Sequence, residues 1–172
     1  MDTLLTIAEV GIAMAGFSAI VVMLRRGETS NRWQKQDADR FHGMIVHAVL
    51  AALFSFLPAL FTGFQVAEIE ELQWSSGLLG VATAIQLVIA FQLEREKTPW
   101  TASGLAVASV VVVITQIANC VADFGARSLG FYVAGLFWHI LQASVLFSML
   151  IWIPASSIEQ AGDRERENQG FG

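Results

Sequence analysis

One cysteine, one tyrosine and three prolines in 172 residues narrow what this chain can be. A lone thiol, Cys120, excludes an intrachain disulfide and any metal site built from clustered cysteines. Charge is scarce too: Asp, Glu, Lys and Arg together make up 15% of the chain, and no basic stripe or reader motif supports nucleic-acid binding. The sequence has no Gly-x-Ser-x-Gly elbow, no His-Glu-x-x-His pair, no phosphate-binding glycine loop and no Asp-rich metal pair, so no motif supports catalysis, and no cofactor or metal is implied. What is abundant is apolar. With 55% hydrophobic residues and a mean hydropathy of +0.57, the chain is too apolar for a soluble domain and reads as a membrane protein in contact with the lipid bilayer.

The apolar residues form five blocks, about 3–24, 41–66, 72–93, 101–122 and 129–153, each near or above the roughly 20 residues that cross a bilayer as a helix. The expected fold is all-α: a polytopic five-transmembrane-helix bundle over 1–154, then a flexible tail over 155–172. The first block follows the acidic leader Met1-Asp2 and precedes Arg25-Arg26. A secretory signal has the opposite arrangement, so the block reads as a retained span. Pro58, inside the second block, lacks an amide hydrogen and should kink the helix, freeing a carbonyl that neighbours must satisfy.

Basic residues set the expected orientation. Arg25, Arg26, Arg32, Lys35 and Arg40 lie in the first connection, Arg95 and Lys97 in the third, and Arg164 and Arg166 in the tail; of the ten, only Arg127 falls on the other side. The positive-inside tendency then puts the amino terminus outside and the carboxyl terminus in the cytoplasm.

The polar residues inside the spans are few. Ser109, Gln116, Asn119 and Asp123 share one side of the fourth block, and Tyr132, His139 and Gln142 share a face of the fifth. Such stripes must face other helices or a wet cavity, because lipid offers them no partner. Glu9 lies roughly 9 Å inside the first block and, in the five-span arrangement, close to the height of Gln116. These depths predict an outer polar cluster of Glu9, Gln116, Asn119, Asp123 and Tyr132, with His139 and Gln142 below it. His47 reads as a packing residue and His42 as an interfacial one. Gly11, Ala15 and Ala19 recur every four residues, the spacing that lets helix backbones approach closely within the chain or between chains.

Two uses of the cluster follow. In the preferred one, its groups hydrogen-bond across helices and fix their register in a structural or accessory subunit that self-associates or binds a membrane partner. In the alternative, the cluster relays protons or passes a small cation or solute. An enzyme ranks last.

Residues Glu9-Val10-Gly11 through Ala15-Gly16-Phe17-Ser18-Ala19-Ile20-Val21, followed by Trp33, Asp39-Arg40 and Phe56-Leu57-Pro58, resemble those of uncharacterised small polytopic bacterial membrane proteins with an Ala-Gly-Phe segment in the first helix. The resemblance covers about residues 5–60. It implies a bacterial inner membrane and a helix-packing role for Gly16.

Overall fold

A computed structural model describes residues 2–28, 35–64, 67–93, 100–122 and 124–151. Its helices are α1 (Asp2–Glu28), α2 (Lys35–Ser55), α3 (Leu57–Gly63), α4 (Glu68–Leu93), α5 (Trp100–Val121) and α6 (Ser128–Ile151), with a short 3-10 turn at Gly125–Arg127. Among the described residues, five segments are long and apolar enough to cross a membrane: Asp2–Met23, Ala38–Gly63, Glu70–Gln92, Gly104–Val121 and Ser128–Ile151. The chain is thus an all-α, five-span polytopic bundle. Asp123, the Glu94 to Pro99 connection, the basic side chains Arg25, Arg26, Arg32 and Lys35, and the tail with Arg164 and Arg166 lie outside the described residues.

Neighbouring helices pack antiparallel through small residues. On α1, a Cβ built at Gly11 would stand 2.7 Å from the Ala48 carbonyl oxygen and 3.2 Å from the Ala52 nitrogen, so that contact with α2 is backbone against backbone. On α4, Gly80 lies against the Gln116 side chain of α5 and Gly77 against Cys120. Helix α6 crosses the centre, touching α1, α2, α4 and α5.

The second span breaks at Phe56, and Pro58 falls in the first turn of α3, where its missing amide is tolerated. The ring nevertheless leaves the Phe54 carbonyl, four residues earlier, without its helical donor. The Tyr132 hydroxyl on α6 donates to that oxygen. At the other end of α3, Thr62 Oγ1 lies 3.0 Å from Glu71 Oε2 and joins the short helix to α4.

The apolar core has two layers. One gathers Leu4, Ile7, Ala51, Leu79, Tyr132 and Leu136; the other gathers Val22, Met44, Ala48, Ala143 and Leu150. His47, between Met44 and Ala51 in α2, and His139, between Leu136 and Ala143 in α6, mark the boundary between them.

Candidate functional site

The polar stripe of α5 turns inward, toward α4 and α6. Asn119, with no exposed surface, donates from Nδ2 to Ser76 Oγ at 2.7 Å and to the Ser128 carbonyl at 3.0 Å, tying three segments together at the α5–α6 turn. One turn back, Gln116 Nε2 donates to the Phe131 carbonyl at 2.7 Å. The Gln116 amide fills the space left by Gly135: a Cβ there would lie 2.5 Å from Nε2. Two turns further back, Ser109 Oγ accepts from Trp138 Nε1 at 3.2 Å and from Gln142 Nε2 at 3.0 Å. Spacings of seven and three residues, from Ser109 to Gln116 and on to Asn119, therefore produce three separate interhelical links along one seam. The amide oxygens Gln116 Oε1, Asn119 Oδ1 and Gln142 Oε1 are buried with no hydrogen-bond partner among the described residues, so the donors on these side chains carry the links.

Two histidines form a different constellation. His47 Nδ1 and His139 Nδ1 are 3.0 Å apart, with ring centroids separated by 5.2 Å, and His139 Nε2 lies 3.1 Å from Thr83 Oγ1. Helices α2, α6 and α4 each contribute one member. His139 is midway along its span, Thr83 is close to the middle of its own, and His139 has no exposed surface. The expectation that His47 serves only packing missed this pair. The two residues are 92 positions apart, and a single helix face carries no sign of a partner on another helix. A usable signal was depth: α2 and α6 run antiparallel, and both rings fall near mid-span.

The expected cluster is not a single assembly. Gln116 and Asn119 pair with α4 and α6, Tyr132 with α2, Gln142 with Ser109, and His139 with His47 and Thr83. Glu9 is not among them: it lies on the exposed face of α1. Its height follows from its position along the helix, but rotation about the helix axis turns it away, because Leu4, Ile7, Ala8 and Gly11 take the buried side. Ala15 and Ala19 are half-buried, with Ala15 packed against the Met44 layer. Gly16 is exposed, and a Cβ there would meet nothing within 4 Å in the chain, so its packing role finds no intrachain partner. Asp123 lies outside the described residues. Among those residues, no group of three or more His, Cys, Asp or Glu is placed to hold a metal ion.

The chain is a polytopic helix-bundle membrane protein with a buried polar hydrogen-bond network spanning several helices. Comparisons with protein-family models, with curated proteins and with solved structures find no match.

Proposed function

We propose that the chain is a structural or accessory membrane subunit that associates with a second copy of itself through the outward face of α1. The observation that supports this reading is the position of Glu9, seven residues or roughly 10 Å inside the span Asp2–Met23 yet directed away from the bundle. A carboxyl group held against acyl chains is costly, so such groups characteristically face protein or water. Ala13 and Gly16 follow on the same exposed face and allow close approach. Beside them runs an apolar groove of about 460 Å³ between α1 and α6, lined by Val10, Ala13, Met14, Phe17, Ser18 and Phe147. Two copies related by a two-fold axis along the membrane normal bring both Glu9 side chains to one depth. There one carboxyl donates a shared proton and the other accepts it. Subunit counting in lipid, with variants at Glu9 and Gly16, tests the reading.

In this reading the chain is not an enzyme. A bacterial inner-membrane location is part of the same proposal. The distribution of basic residues supports an outside amino terminus and a cytoplasmic carboxyl terminus.

A second reading, transport of a proton, small cation or small solute through the polar interior, is favoured by the histidine pair at mid-span. Proton flux in proteoliposomes, abolished by His139→Gln, would support it; flux absent from the wild type would remove it.

A further inference from the structure

We infer that His47 and His139 form a binding site for a single proton at the centre of the bilayer, and that the proton enters at Nε2 of His47. The inference deepens the transport reading at the same site, but it concerns proton binding and not proton flux, so either can fail alone.

The assignment follows from counting hydrogens. Thr83 Oγ1 is 2.8 Å from the Leu79 carbonyl oxygen and 3.1 Å from His139 Nε2. Two oxygens 2.8 Å apart with no hydrogen between them would repel, whereas the 3.1 Å contact to the ring can be made by a hydrogen on either atom, so the single hydroxyl hydrogen goes to Leu79. Nε2 of His139 must then carry its own hydrogen and donate to Thr83. In a neutral imidazole the other nitrogen is bare, which makes His139 Nδ1 an acceptor. The nitrogen 3.0 Å away, His47 Nδ1, is therefore the donor. One nitrogen with a free lone pair remains: Nε2 of His47.

A proton arriving at that nitrogen leaves all three hydrogen bonds intact. The charge then rests on the His47 ring, whose Nδ1–H still donates to a bare His139 Nδ1. A second proton would have to sit on His139 Nδ1, placing two N–H groups head to head and breaking the contact between α2 and α6. The capacity of the pair is thus one.

Among the described residues, the surrounding elements bring no competing acid or base to the rings. On α6, the Tyr132 hydroxyl is committed to the Phe54 carbonyl, and on α1, Glu9 faces outward. On α4, Glu71 is three turns from Thr83 and bonded to Thr62. On α5, Cys120 packs beside Gly77. On α2 itself, Asp39, Arg40 and His42 lie a turn or more before His47.

The test is nitrogen NMR of the full chain in lipid nanodiscs, with ¹⁵N-labelled histidine and a His42→Gln background so that two rings remain. At neutral pH two bare-nitrogen signals are expected, Nε2 of His47 and Nδ1 of His139, assigned with His47→Gln and His139→Gln. Acidification should remove one of the two, that of His47, and leave the other. Thr83→Val, which removes the acceptor that fixes the His139 tautomer, should split each ring into two tautomer signals while the fold is retained. The inference is overturned if the wild-type tautomers are reversed, if both bare signals vanish together, if His139 loses its signal first, or if neither changes before the bundle unfolds.

Discussion

The Tyr132 hydroxyl donates to the Phe54 carbonyl, the backbone group that Pro58 deprives of its helical donor. The break in the second span and the only tyrosine of the chain are therefore one feature. Interhelical hydrogen bonds in membranes contribute roughly 0.6 kcal/mol on average and about 1.7 at most. Tyr132→Phe should destabilise the bundle by an amount in that range. Pro58→Ala supplies an amide in place of the missing donor, so the cost of Tyr132→Phe should shrink in that background. Reversible unfolding in mixed micelles measures the double-mutant cycle; additive effects would show the two residues to be independent.

Gly11→Leu should be among the more disruptive single changes in α1. Its first side-chain carbon would stand 2.7 Å from a backbone oxygen of α2, which cannot rotate aside as a side chain could. Overpacking of this kind costs roughly 1–3 kcal/mol, read as a lowered Tm in detergent. An unchanged Tm would mean that α1 does not seat on α2 at Gly11.

Asn119→Leu should cost more than Gln142→Leu. The first removes two hydrogen bonds and leaves the Ser128 carbonyl without that donor; the second removes one bond to Ser109, which keeps Trp138. An unsatisfied buried group costs about 1–3 kcal/mol, so the two variants should separate clearly in thermal unfolding. Equal losses would show that the bridge at the α5–α6 turn contributes no more than a single link.

The number of spans and the inward turn of the α5 stripe were legible in the sequence because both rest on local patterns: apolar run length, and polar residues three and seven positions apart. The consequence of Pro58 was legible for the same reason, since a missing amide frees a carbonyl wherever the helix packs. Which groups meet was not. Glu9 and Gln116 were expected together because depth follows from counting residues, whereas the rotation of α1 depends on Gly11 seating against Ala48 and Ala52. His47 and His139 were read apart for the converse reason: their contact exists only once α2 and α6 are laid side by side.

Accessibility of terminal tags in intact cells tests the orientation. An amino-terminal tag should react from outside, and a carboxyl-terminal tag only after the membrane is permeabilised. Both tags on one side would contradict an odd number of spans.

Self-association through α1 is tested most directly by counting photobleaching steps of the singly labelled full chain, reconstituted in bilayers at low protein density. Wild type and Glu9→Gln, whose amide also both donates and accepts, should bleach in two steps. Glu9→Leu and Gly16→Leu should bleach in one while keeping the wild-type Tm, because neither side chain packs inside the bundle. Single-step bleaching of the wild type, or two-step bleaching that survives Gly16→Leu, would contradict a dimer built on that face.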